Sequence, residues 1–195
     1  MSAQIWLHSD WHWRHENIYK FVDAGGVRIR NRFADMAEGD AFIEQRLRDL
    51  VKPEDHIYFL GDLTMARENH MADDFIRLFR SLPGHKRLIQ GNHDGLKIHH
   101  YIAAGFQKIK ASNMIGGILL THYPVHQSSI GYKTLGNAHG HTHGQPDIGP
   151  RYLNVSVERT NYEPIPLEEA RARLTAKIAT VPSLIDVSGN PITGP

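Results

Sequence analysis

Five short clusters of aspartate, asparagine and histidine follow one another along the chain, the first four directly after apolar, β-rich runs. In order they read Asp10-Trp11-His12, Gly61-Asp62, Gly91-Asn92-His93-Asp94, Thr121-His122 and Gly140-His141-Thr142-His143. Their side chains offer hard oxygen donors and borderline imidazole nitrogens, a mixture that suits Mn, Fe, Co, Ni or Zn rather than calcium. Brought together, they can hold two divalent ions.

Two adjacent divalent ions, about 3.5 to 4 Å apart, favour in-line displacement at phosphorus, because they generate a hydroxide and neutralise charge on the phosphoryl oxygens. Such a pair needs one bridging carboxylate. Gly61, Gly91 and Gly140 each precede a candidate ligand. A glycine is expected there, because a sharp turn from strand to loop requires positive φ or close backbone approach.

The segments that must position these residues have the composition of strands and helices in alternation. The predicted strands are residues 5–9, 56–60, 86–90, 117–121 and 153–157. Three segments have apolar residues at helical spacing. They contain Phe42, Ile43, Leu47 and Leu50 in the first, Met71, Phe75, Leu78, Phe79 and Leu82 in the second, and residues 167–178 after Pro166 in the third. This alternation predicts an α/β domain whose function lies in loops beyond the carboxyl ends of the strands.

Residues 108–121 contain two apolar stretches on either side of Gly116-Gly117. Such a pattern predicts a β-hairpin, so the sheet should be mixed rather than purely parallel.

Bulk composition narrows the functional classes. Lys plus Arg number 22 and Asp plus Glu number 21, so no strong field attracts the chain to nucleic acid or to an anionic membrane. The absence of cysteine excludes disulfides, thiolate zinc sites and a thiol nucleophile. No apolar run approaches the ~20 residues that span a bilayer, and a cytoplasmic protein is expected.

The length of 195 residues predicts one domain over residues 1–180, followed by a weakly held tail over residues 181–195 that is rich in Pro, Gly and Ser.

The ordered set D-x-H, GD, GNHD, H and GHxH resembles the signature of the calcineurin-like metallophosphoesterase superfamily, from about Ile5 to about Glu158. The resemblance implies a mixed β-sheet sandwich flanked by helices, in four α/β/β/α layers. It also implies two divalent metal ions, with manganese favoured and Fe, Ni, Co or Zn as alternatives.

The resemblance further assigns a role to each position. Asp10, His12 and His143 would bind the first metal, Asn92, His122 and His141 the second, and Asp62 would bridge them. A hydroxide between the metals would attack phosphorus, and His93 would protonate the leaving oxygen as general acid. Asp94 would orient and charge-stabilise the imidazole of His93.

Residues beside the motifs have less defined roles. Many members of the superfamily carry a glycine where this chain has Trp13-Arg14. The resemblance therefore indicates metal binding but not the identity of the substrate. Arg14 could hold phosphate and an indole could stack on a base, although Trp11 is expected to pack in the core. The loop over residues 123–137, with Tyr123, is expected to border the substrate. His139 could be a partner of a candidate ligand, but it is expected to face solvent. The same is expected of seven other histidines, which are His8, His56, His70, His85, His99, His100 and His126, whereas His15 belongs with Trp11, Trp13 and Arg14 beside the first motif.

The favoured function is phosphodiester hydrolysis of a small phosphate ester, with a nucleotide among the candidates. The alternatives are a phosphomonoesterase of the same fold and a non-catalytic metal-binding scaffold, although a scaffold would typically have lost ligands or the acid. A nuclease acting on polymeric nucleic acid would call for a basic groove and stacking aromatics, and the near-zero net charge weighs against it.

Overall fold

The computed structural model describes residues 2–66 and 69–181. The predicted weakly held tail therefore lies outside the described residues from residue 182 onward, and so does the side chain of His70.

Two sheets form the centre of the molecule. The first contains, in spatial order, β4 (Phe106–Lys110), β3 (His85–Ile89), β2 (His56–Phe59), β1 (Ile5–His8) and β9 (Ile165–Pro166). The second contains β5 (Ser112–Ile115), β6 (Ile118–Thr121), β7 (Gly136–His139) and β8 (Tyr152–Asn154). All neighbouring pairs are parallel except β1 with β9 and β5 with β6, so both sheets are mixed as predicted.

The first sheet has a hydrophobic core on each face, which explains why its central strands β1 and β2 are mostly apolar. Along β2, Ile57 and Phe59 join a core cluster with residues of the first three helices. The alternate residues Tyr58 and Leu60 join a second cluster, which contains apolar residues of the other sheet and of the last helix. Successive side chains of one strand therefore belong to two different cores.

Four α-helices flank the sheets within the described residues: α1 (Met36–Leu50), α2 (Asn69–Ser81), α3 (Ile98–Ala103) and α4 (Leu167–Ala179). Asp35 caps α1 by accepting the N–H of Glu38 at 2.9 Å, and the Glu38 carboxylate accepts the N–H of Ala34 at 2.7 Å. On α2, Phe75 and Phe79 stack with ring centroids 4.3 Å apart. No helix in this part of the chain is long and apolar enough to cross a membrane.

The two sheets meet at the carboxyl ends of their parallel strands. Ser9 and Ser156 form an isolated parallel bridge, and the N–H of Val157 donates to the carbonyl of Ser9 at 3.1 Å. The loops that follow β1 and β8 are thereby brought side by side. Every predicted ligand lies in a loop at this edge.

The predicted elements agree with the observed ones, and several short elements were not predicted. Each of the five predicted strands and three predicted helices is present, and the hairpin turns at Gly116-Gly117 between β5 and β6. The amino-terminal part of the predicted hairpin segment belongs instead to β4 of the first sheet. The strands β4, β7 and β9 and the short helix α3 were not predicted.

Candidate metal centre

The structure brings six of the seven predicted ligands into two groups. In each group the candidate ligand atoms all lie within 4.8 Å of one another. The groups are Asp10, His12 and His143 (the first site) and Asp62, His122 and His141 (the second site). The seventh, Asn92, belongs with the second site, because its Oδ1 lies 3.0 Å from His122 Nε2.

Asp62 lies between the two sites. Its Oδ2 is 3.6 Å from Nε2 of His12 in the first site and 3.3 Å from Nε2 of His122 in the second. A single buried oxygen therefore faces one ring nitrogen from each group, which is the placement required of a bridging carboxylate. Burial opposes ionisation of Asp62, but hydrogen bonds and charge interactions with His122, His93 and His12 outweigh it and lower its pKa to about 2.

The main chain at the ligands is left-handed, a conformation that L-residues rarely adopt. The residues with φ between 48° and 67° include Asp10, His12, Asp62, His141 and His143. Main-chain hydrogen bonds hold this geometry, with the N–H of Asp10 donating to the carbonyl of Gly61 and that of His12 to the carbonyl of Asp62, both at 3.0 Å. The strand ends therefore aim the ligands through a constrained backbone.

Glycines allow the loops to approach as closely as the sequence predicts. Gly61 has φ of +97°, and a Cβ there would lie 2.5 Å from His122 Nδ1. A Cβ on Gly140 would collide with Ser9 Oγ and with the carboxylate of Asp10. Any other residue at either position would push a ligand out of place.

The donor set fits divalent metal ions. His12 is 2% exposed, and neither of its ring nitrogens has a hydrogen-bond partner among the described residues. Buried polar atoms in proteins are otherwise nearly always paired, so two orphaned nitrogens are what a ligand without its ion would show. Burial, followed by the charge of His143, lowers the pKa of His12 to about 2, which keeps the ring neutral as a metal ligand must be.

Two other candidate ligand histidines, His122 and His143, have a defined partner on the ring nitrogen that faces away from the site. His122 Nδ1 lies 2.7 Å from the carbonyl of Leu60, so Nδ1 carries the proton and Nε2 is left for a metal. His143 Nδ1 lies 3.2 Å from Oε1 of Glu158. Burial lowers the pKa of both rings, but Asp62 and Glu158 raise those of His122 and His143 above the ordinary value. A bound ion must therefore displace protons, and metal uptake should weaken as the pH falls.

His93 is placed beside both sites without belonging to either group. Its ring centroid lies 5.3 Å from that of His12. The main-chain N–H of His93 donates to Oδ1 of Asp62 at 2.8 Å. Its Nδ1 has no hydrogen-bond partner in the described part of the chain.

Asp94 occupies a different position from the one that its predicted role requires. Its carboxylate accepts the N–H groups of Gly91, Asp62 and Leu63 at 2.8 to 2.9 Å, and no hydrogen bond to the ring of His93 is found within residues 2–66 and 69–181. Burial raises the pKa of Asp94 to about 6. Asp94 therefore joins the loops after β2 and β3. No contact in the described residues supports the prediction that its carboxylate orients the ring of His93.

The residues beside the first motif do not line the site as a phosphate clamp. Trp11 is fully buried, and its Nε1 donates to Asp40 at 3.1 Å, so it packs in the core as expected. Arg14 lies over the ring of Trp13 at 4.5 Å and forms an ion pair with Asp74. The guanidinium of Arg14 is therefore engaged away from the ligands.

The loop over residues 123–137 reaches the site through its first residue. The ring of Tyr123 is 48% exposed and lies 4.5 Å from that of His141 and 4.9 Å from that of His122, measured between centroids. Tyr123 thus forms an exposed rim beside the second site.

Two histidines that were expected to face solvent are buried. His8 and His139 are each 1% exposed, and each is the last residue of its strand, β1 and β7 respectively. His85, His99 and His126 are exposed as expected, and His56 and His100 are half-buried.

Sequence reasoning missed several buried polar residues behind the ligands. Asn154 Nδ2 donates to the carbonyl of His143 at 2.7 Å, and the hydroxyl of Ser156 lies 3.0 Å from Oδ2 of Asp10. Glu158 and Arg30 complete this layer. The signal in the sequence was the alternation of polar residues at 154 and 156, which places both on one side of the extended chain as it leaves β8. Glu158 lies in the single 3-10 turn that follows.

Proteins similar to this chain support its fold, and their names assign no activity. No protein-family model matches the chain. It is 29% identical over 174 residues to the uncharacterized protein MJ1445 of Methanocaldococcus jannaschii, covering 85% of this chain and 88% of that protein. It is 27% identical over 183 residues to the gene 66 protein of Mycobacterium phage L5, covering 78% of this chain and 83% of the phage protein.

A solved structure is also similar. The crystal structure of the protein of unknown function AQ665 from Aquifex aeolicus matches with a TM-score of 0.64 and 26% identity, over 88% of this chain and 99% of that one. The fold described above is therefore shared with a protein known from experiment.

Proposed function

We propose that this protein is a dinuclear metal-dependent phosphoesterase, with phosphodiesters as its favoured substrates and the four-layer α/β/β/α architecture of the calcineurin-like superfamily. The observation that carries the proposal is Asp62, one oxygen of which faces a ligand nitrogen from each of two three-residue groups. Two divalent ions bound there would supply a nucleophile from water and neutralise charge on the phosphoryl oxygens.

His93 supports the catalytic part of the proposal. Its ring lies outside both ligand groups, so it is free to hold and donate a proton. The hydrogen bond from the main-chain N–H of His93 to Asp62 fixes the position of this residue relative to the carboxylate between the sites. A leaving oxygen near both sites would then lie within reach of the imidazole. In the non-catalytic alternative the imidazole of His93 would have no function at the site.

The preference for diesters rests on charge. Within the described residues, the two arginines that neighbour the first motif have their charge engaged, because Arg14 is paired with Asp74 and Arg30 with Glu158. A phosphodiester carries one negative charge, whereas a phosphomonoester dianion carries two and would gain more from a free guanidinium.

The experiment is hydrolysis of bis-p-nitrophenyl phosphate and p-nitrophenyl phosphate side by side, after chelation and reloading with Mn, Fe, Co, Ni, Zn or Mg. The control variant is His85→Ala, which removes an exposed histidine of β3 outside the site and should not change the rate. Metal-dependent cleavage with preference for the diester is expected. Preference for the monoester would make the protein a phosphomonoesterase, and two bound metals without turnover of either ester would indicate the scaffold.

A further inference from the structure

Arg30 is a fully buried arginine that reaches the first site from the loop before α1. Its side chain is 0% exposed. The guanidinium donates from Nε to Oε1 of Glu158 at 2.9 Å, and its two terminal nitrogens donate to the carbonyls of Trp11 at 2.8 Å and Asp10 at 2.6 Å. One planar group thereby fixes a carboxylate and the main chain that carries the first ligand.

Glu158 connects this guanidinium to a ligand. Its side chain is 4% exposed, and its Oε1 lies 2.9 Å from Nε of Arg30 and 3.2 Å from Nδ1 of His143. A carboxylate that accepts the Nδ1 proton of a histidine fixes the tautomer and leaves the Nε2 lone pair for a metal. The three residues form a chain of contacts from Arg30 through Glu158 to His143.

We propose that Arg30 and Glu158 are positioning residues for the first metal: Glu158 sets the tautomer and ring orientation of His143, and Arg30 holds Glu158 and the main chain at Asp10. This inference rests on the proposed function. It predicts a selective effect, because the corresponding ring nitrogen of His122 in the second site is held by the main-chain carbonyl of Leu60. A structural ion pair alone would not distinguish the two sites.

The test is Mn²⁺ binding to the whole chain, measured by titration calorimetry and electron paramagnetic resonance, for the wild type and for Glu158→Gln. Removing an outer partner of a ligating histidine typically weakens metal affinity by about 10- to 100-fold. We expect this loss at one of two sites, together with loss of the exchange-coupled dinuclear signal and retention of a mononuclear one. The double variant Glu158→Gln with His143→Ala should bind no more weakly than His143→Ala alone.

The matched control is Glu163→Gln. Glu163 accepts Nε of Arg46 at 2.9 Å, the same atoms and distance as in the Arg30–Glu158 pair, but at the surface and away from the ligands. Both Mn²⁺ affinities should stay at the wild-type values in this variant.

The outcomes separate the two proposals. A wild type that binds fewer than two ions of Mn²⁺, and fewer than two of Fe, Co, Ni and Zn in the same titrations, would overturn the proposed function. A wild type that binds two ions, with Glu158→Gln unchanged or equally weakened at both sites, would overturn the positioning role alone. If Glu158→Gln does not fold, Arg30→Lys takes its place. Lysine keeps the positive charge but lacks the planar guanidinium that donates several hydrogen bonds at once, so the same loss of Mn²⁺ affinity at one site is expected.

Discussion

The two candidate metal sites differ in what supports them. Each group contains two almost fully buried candidate ligands, Asp10 and His12 in the first and Asp62 and His122 in the second. The first also has two charged residues, Arg30 and Glu158, behind its candidate ligands. The second is held mainly by main-chain groups. Its Asn92 is exposed and its neighbour Tyr123 is about half exposed. The first site is therefore supported by buried charged side chains, whereas the second is the more open of the two.

The variant that should most strongly abolish this difference is Asp62→Ala, because Asp62 faces both sites. Without the shared carboxylate, His12 and His122 lose their common partner and both ions should be lost, with turnover falling by at least about 10⁴-fold. Metal content after gel filtration, measured by mass spectrometry, and hydrolysis rates check this. Retention of two metals per chain would contradict the bridging assignment.

His93→Ala should separate metal binding from catalysis. Its ring lies outside both groups, so both ions should remain bound. Turnover should fall by about 10²- to 10⁴-fold, the usual contribution of a general acid, and more with a poor leaving group than with p-nitrophenol. His93→Gln, which keeps a polar side chain but cannot act as an acid, should be equally slow. An unchanged rate on a substrate with a poor leaving group would remove this role from His93.

Asp40 tests the support behind the first site through pH. It accepts Nε1 of Trp11 and the N–H of Arg14 at 3.1 and 2.9 Å, and burial raises its pKa from 3.8 to about 6. The folded state therefore binds this proton more tightly than the unfolded state. Between pH 4 and pH 6 the carboxyl should lower the free energy of unfolding as the pH rises, by at most about 3 kcal/mol.

Asp40→Asn should remove that decrease, as measured by urea unfolding of the metal-free chain across this pH range. The control is Asp49→Asn, which removes a more exposed charge from the same helix. If wild type and Asp40→Asn show parallel pH dependence, burial does not set the pKa of Asp40.

The smallest effect is expected on the open side, at Tyr123. Its exposed ring can offer a surface to a planar group of the substrate. Tyr123→Leu should raise KM for aryl diesters a few-fold, corresponding to about 1 kcal/mol, with kcat and metal content unchanged. Tyr123→Phe should behave like the wild type if the ring acts through its face. A loss of kcat in Tyr123→Phe would instead assign the function to the hydroxyl.

The candidate ligands could be placed together from the sequence because the strands that precede them are local features. Short β-rich runs mark β1, β2, β3 and β6, and parallel strands end at one edge, so the polar residues after them must meet. The strand β7 was not predictable in this way. It reads Gly-Asn-Ala-His, has no apolar alternation, and becomes a strand by pairing with β6 and β8 on either side.

The supporting residues could not be predicted for a related reason. Arg30 lies in a polar loop, and its burial depends on Glu158, which is 128 positions away. The family resemblance implied that Asp94 orients the imidazole of His93, its neighbour in the chain. Its carboxylate instead accepts N–H groups of a neighbouring loop, a preference decided by tertiary contacts. Local patterns therefore identify which residues come together as candidate ligands, but not which residues hold them in place.

The left-handed backbone at the ligands has a consequence for how the sequence can evolve. A left-handed L-residue costs roughly 1 to 2 kcal/mol, so the five at Asp10, His12, Asp62, His141 and His143 together cost an amount comparable to the whole stability of a typical domain. For the backbone alone, glycine is the favoured residue at each of these positions. Selection for thermostability without activity should enrich glycine there, and selection for activity should restore the ligands.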